Sequence, residues 1–173
     1  MKKIMSAAAV ALLATAAPAF AATTVNVPFT SQAGVSTVEA FSGLVRVTVS
    51  GTGFSNGNAV NDAFYSTTSQ TRNAGLYQLG FATAGSSFQA VANSIFGGVV
   101  PTYNADNTYS FVLNTNLAQA GALSFRVLDD NFSDNGGSYT VSVAAVPEPA
   151  TWGMMLVGFG VRAQRKSTKV TYA

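Results

Sequence analysis

The chain has 173 residues, of which 48% are hydrophobic and only 9% charged, with a formal net charge of +2. Histidine and cysteine are both absent. That excludes disulfide cross-links, thiol nucleophiles, Ser-His-Asp and Cys-His catalysis, and histidine-based zinc sites.

Residues 1–21 read as a secretory signal peptide. Lys2 and Lys3 supply the positive start, Ile4 to Ala17 the apolar stretch, and Ala19-Phe20-Ala21 a small-x-small cleavage site. Cleavage is expected after Ala21, following export through the translocon. The reading rules out a cytoplasmic enzyme.

The charge then redistributes. The body, 22–145, keeps only Arg46, Arg72 and Arg126 against Glu39, Asp62, Asp106, Asp129, Asp130 and Asp134, a net charge of −3. The basic pI of 9.0 belongs to the two ends of the chain and gives no support for a nucleic-acid partner.

The body reads as all-β, one domain of antiparallel β-sandwich or jelly-roll type. No stretch sustains a 3.6-residue period, whereas apolar and polar residues alternate clearly in three places. In Leu44 to Ser50 the valines Val45, Val47 and Val49 share a face. In Leu123 to Leu128 the inward set is Leu123, Phe125 and Val127, and in Ser138 to Val143 it is Tyr139, Val141 and Val143. Weaker strand candidates are Val25 to Thr30, Asp62 to Ser66, Leu76 to Ala82 and Thr108 to Leu113. Phe88 to Val99 fits either a short helix ending at Gly97-Gly98 or a loop. Turns are predicted around Gly51 to Gly57, Asn104 to Asn107 and Asp134 to Gly137.

Between the last two confident strands runs Asp129-Asp130-Asn131-Phe132-Ser133-Asp134-Asn135-Gly136-Gly137-Ser138. Oxygen-rich loops of this kind can wrap calcium, and Asp129, Asp130, Asp134 and Asn135 are the candidate ligands. It is not an EF-hand, because Asp134 stands where that loop needs glycine and Thr140 where it needs glutamate. The plainer alternative is a hairpin loop turning at Asn135-Gly136, with no cofactor. Asp62 is expected to cap a turn. Tyr65, Tyr77, Tyr103 and Tyr109 could stack on sugar rings, though alternation places most of them in the core or at its edge. No nucleophile elbow or phosphate loop is present, so no catalytic residues are assigned. A carboxylate-only glycosidase is the remaining enzymatic alternative.

The tail, 146–173, opens on Pro147-Glu148-Pro149, which admits no helix from the N-terminal side. Trp152-Gly153 follows, within an apolar run from Ala150 to Val161, and then the cations Arg162, Arg165, Lys166 and Lys169. Twelve residues of helix rise only about 18 Å, short of the roughly 30 Å hydrocarbon core of a bilayer.

This order of features resembles the PEP-CTERM sorting signal, in its PEPxxWA form, with Gly153 where that form has alanine. Such tails also carry the label ice-binding-protein C-terminal domain. The resemblance implies recognition by an exosortase, a membrane-embedded processing enzyme, and residence at the cell envelope or in the extracellular matrix, in association with exopolysaccharide. It implies a membrane anchor only in passing through the inner membrane. The string Phe125 to Val143 also resembles the closing hairpin of galactose-binding-like jelly rolls, whose D-N-x-G-S loops bind calcium and sometimes sugar. The expected function is therefore that of an exported, non-catalytic surface protein. A calcium-dependent carbohydrate-binding module is the alternative.

Overall fold

The computed structural model describes residues 22–55 and 58–147. Ala19, Ala21 and the tail from Glu148 onward lie outside the described residues, so the signal and sorting motifs remain expectations. Among the described residues ten strands form two antiparallel sheets: β1 (Thr23–Pro28), β2 (Val35–Ser36), β3 (Leu44–Ser50), β4 (Gly53–Ser55), β5 (Ala59–Asn61), β6 (Leu79–Thr83), β7 (Gln89–Ala90), β8 (Thr108–Asn114), β9 (Leu123–Val127) and β10 (Gly136–Ala145). Among the described residues no helix is long and apolar enough to cross a membrane.

The larger sheet runs β1-β10-β3-β8, and the short β4-β5 pair is added beside the start of β10. The smaller sheet runs β2-β9-β6-β7. Pairing sets the apolar faces in register. Val27 lies opposite Tyr139, Val141 opposite Val49, Val143 opposite Val47, and Val47 opposite Phe111. In the facing sheet Phe81 lies opposite Phe125 and Leu79 opposite Val127. Because side chains alternate along a strand, this register sends one whole set inward. Val45, Val47, Val49, Phe125, Val127, Tyr139, Val141 and Val143 are all fully buried, so the three alternating stretches fold as the β-sandwich they predict.

Three boundaries differ from the sequence reading. Asp62 to Ser66 is a turn, touched only by isolated bridges from Asn61 to Ser66 and from Tyr65 to Arg72. The Asp62 carboxylate takes the N–H groups of Phe64 and Tyr65, diverting the donors that a strand would have used. The strand expected from Leu76 starts only at Leu79, because Tyr77 sits in the left-handed region with φ 60°. Phe88 to Val99 is neither a helix nor a free loop. It contains β7 and a single 3-10 turn, Val91–Asn93, after which Phe96 and Ser94 exchange backbone hydrogen bonds with β8.

Close backbone approach fixes the junction of β4 and β10. A Cβ at Gly53 would lie 2.5 Å from the Gly136 carbonyl and 2.6 Å from the Phe29 ring. Gly137, opposite Gly53, has φ +91°, a conformation L side chains rarely adopt.

Candidate functional site

The Asp/Asn loop does not close a hairpin. β9 belongs to the smaller sheet and β10 to the larger, so residues 128–135 carry the chain from one sheet across the edge of the sandwich to the other. The turn falls at Ser133-Asp134, and Gly136 already belongs to β10, which corrects the expected Asn135-Gly136 turn. Asn135 serves instead as a tie. Its Nδ2 donates to the Phe29 carbonyl at 3.2 Å, holding the end of the loop to the chain that follows β1.

The side chains of the loop are ordered by their own backbone. Asp129 Oδ1 accepts from the N–H groups of Asp130 (2.8 Å) and Asn131 (3.2 Å). Asn131 Oδ1 accepts from the Ser133 N–H at 3.2 Å and the Ser133 hydroxyl at 2.8 Å. Phe132 packs against the core and lies 5.6 Å from the Arg126 guanidinium. That guanidinium also sits 4.5 Å over the Phe88 ring and donates to the Gln32 carbonyl at 2.8 Å. A cation held between two rings, on the outer face of β9, thus braces the middle of the loop.

What remains after this accounting is a set of bare oxygens. Asp129 Oδ2, Asp134 Oδ1 and Asn135 Oδ1 are shielded from solvent and accept no hydrogen bond. Asp129 is 9% exposed and Asn135 7%. Buried polar atoms are nearly always paired, and an unpaired one costs about 1–3 kcal/mol, more when charged. Three on one loop is therefore a concentration that the internal hydrogen bonding does not explain.

Tyr77 reports on the same spot. Its phenol is pushed above the ordinary value of 10.0, first by desolvation and then by the negative charges of Asp129, Asp130 and Asp134. Tyr77 is carried on the segment before β6, and its N–H donates to the Leu128 carbonyl at 2.7 Å, next to the start of the loop. From the sequence Tyr77 is either a ring open to stacking on sugar or a residue of the core or its edge. Its left-handed backbone, φ 60°, has no signature in the neighbouring residue types.

The donor set fits a hard cation only as a mixed set. Among the described residues no three His, Cys, Asp or Glu side chains are grouped closely enough to hold a metal ion on their own. The carboxylate oxygens of Asp129 and Asp134 and the Asn135 amide oxygen are the donors without a partner, and calcium takes such mixtures of oxygen ligands. Asp130 is exposed and is the weakest of the four candidates.

Asp62, by contrast, is occupied. It is fully buried, and besides the two N–H groups at 2.8 and 2.7 Å its Oδ2 accepts the Tyr109 hydroxyl at 2.6 Å. Its main-chain carbonyl accepts the Tyr139 hydroxyl at 2.8 Å. The capping role read from the sequence holds, and the carboxylate is also the centre of a buried polar knot within the core. Of the other tyrosines, Tyr109 is in the core, while Tyr65 and Tyr103 are half-buried and meet edge to face.

No family model and no curated protein matches the sequence. Among solved structures, the chain is similar to the EclA N-terminal domain, a PllA-like lectin. The two share 17% identity over 70% of this chain and 94% of that one, with a TM-score of 0.43.

Proposed function

We propose that this is an exported, non-catalytic binding protein of the cell envelope or extracellular matrix. In this reading the crossing loop takes up calcium through Asp129, Asp134 and Asn135 and binds carbohydrate beside it. The observation that carries it is the trio of buried oxygens without donors on one loop. Calcium held there would supply coordination positions for sugar hydroxyls, in the manner of the jelly rolls that the string Phe125 to Val143 resembles. The half-buried Tyr77 ring would form one wall. The signal segment accounts for export. The PEP-CTERM-like tail, with Pro147, Glu148, Pro149, Trp152 and the cations from Arg162 onward, would deliver the protein to an exosortase and so to the surface.

The test is thermal unfolding of the purified protein in calcium and in chelator. At about ten times a dissociation constant of 10⁻⁴ to 10⁻³ M, mass action stabilises the fold by about 1.4 kcal/mol. Asp134→Ala should abolish that gain, and glycan binding on an array should disappear with chelator. Identical melting curves in calcium and in chelator would refute the cation site. Glycan binding indifferent to chelator would refute its role in recognition.

A further inference from the structure

A concavity whose lining does not include Asp129, Asp134 or Asn135 lies on the smaller sheet. It has a volume of about 410 Å³ and is formed by the segment before β6 together with β7 and the 3-10 turn after it. Its polar walls are Arg72, Asn73, Gln78 and Asn93, and the rest of its lining is alanine and glycine. Gln78 is 3% exposed, yet its carboxamide makes a single long hydrogen bond, Nε2 to the Asn73 carbonyl at 3.4 Å. The carboxamide oxygen and the second amide hydrogen make no hydrogen bond to the described residues, and the group faces the hollow it lines.

The residue types narrow the ligand. A carboxamide both donates and accepts, which matches a hydroxyl and leaves an acceptor unmatched against a phosphate. The Asn73 Nδ2 already donates to Asn61 Oδ1 at 3.1 Å and to the Tyr77 carbonyl at 2.6 Å, and leaves only its oxygen for a ligand. No aromatic side chain lines the hollow, so there is nothing for a nucleobase to stack on. The small residues offer little apolar surface for a lipid or an aromatic ligand. Arg72 adds a planar guanidinium suited to a carboxylate. In a body of net charge −3, only three arginines are present, and Arg126 is already held between Phe88 and Phe132. We propose that this hollow is a calcium-independent binding site for an acidic sugar unit of the uronate type, with Arg72 taking the carboxylate, Gln78 and Asn93 the ring hydroxyls, and the Asn73 carboxamide oxygen accepting from one of them.

The experiment is an NMR titration of the full protein with glucuronate, glucose and inorganic phosphate, all in chelator. Glucuronate should produce saturable shifts at residues 72–78 and 90–93, while glucose and phosphate at the same concentration should bind at least about tenfold more weakly. Arg72→Gln should weaken glucuronate binding by about tenfold or more, and Asn93→Ala should weaken it less. Both side chains are exposed, so unchanged melting curves will show that the fold is intact. Asp134→Ala should leave the titration unaltered, which separates this site from the calcium loop. Glucose or phosphate binding as well as glucuronate, an unaffected Arg72→Gln variant, or no shifts in these segments would each overturn the assignment.

Discussion

Tyr109 and Tyr139 should make the fold fail at alkaline pH in a measurable and divisible way. They are 3% and 0% exposed, and both hydroxyls reach Asp62. Burial, with Asp62 beside them, pushes both phenols well above the ordinary 10.0. The folded protein therefore keeps two protons that the unfolded chain releases once the pH passes about 10. Stability is unaffected below that point and falls above it, by about 1.4 kcal/mol per pH unit for each phenol. Between about pH 10 and 12 the pair removes about 5 kcal/mol, which is comparable to the 5–15 kcal/mol that holds a domain together. Tyr77 adds a smaller contribution, because solvent screens it. Tyr139→Phe removes one phenol and should roughly halve the slope. At neutral pH it should cost about 1–3 kcal/mol, since the Asp62 carbonyl loses its donor. Urea unfolding followed by circular dichroism at stepped pH measures both quantities. A Tyr139→Phe slope equal to that of the parent protein would refute the reasoning.

Other outcomes follow from the packing and from the two ends of the chain. Val141→Asp places a charge at a fully buried position between Val25 and Val49, and should unfold the body, as read by loss of the cooperative thermal transition. Gly53→Ala drives a methyl group into the Gly136 carbonyl and the Phe29 ring and should cost about 2–4 kcal/mol by urea unfolding. Deleting residues 147–173 should leave a folded protein released to periplasm or medium, because the last strand hydrogen bond of the described body is made by Val146 to Leu44. Replacing Arg162, Arg165, Lys166 and Lys169 with serine should impair surface retention, measured by fractionation. Identical fractionation of the full-length and deleted proteins would refute an anchoring role for the tail.

The alternating valines of β3 and the Tyr139-Val141-Val143 series were legible because a two-residue period and a buried face leave only one inward set. The acidic loop was legible as an oxygen-rich segment. Its crossing between sheets was not, because strand pairing is decided by partners far along the chain: Phe125 faces Phe81, while Val141 faces Val25 and Val49. Asp62 to Ser66 read as a strand because its aromatic residues are strand formers. The structure uses those same rings as a plug, with Phe64 edge-on to Tyr109 and Phe111. The hollow was invisible in sequence for the same reason as the crossing. Arg72 and Asn93 are 21 positions apart, and neither neighbourhood carries a motif.

The position of β10 bears on when the fold can close. Of the ten described strands it is the last to be synthesised, yet it lies between β1 and β3 in the middle of the larger sheet. Until Gly136–Ala145 has emerged, β1 has no neighbour in that sheet, and the Asn135 tie to Phe29 cannot form. Contacts that join the first strand to the last have high contact order and form slowly. A nascent chain of this topology cannot complete the larger sheet or close its core until nearly all of the body has been synthesised. Late closure in this sense is a kinetic property written into the strand order, set by which strand lies in the middle of the sheet rather than by any one contact.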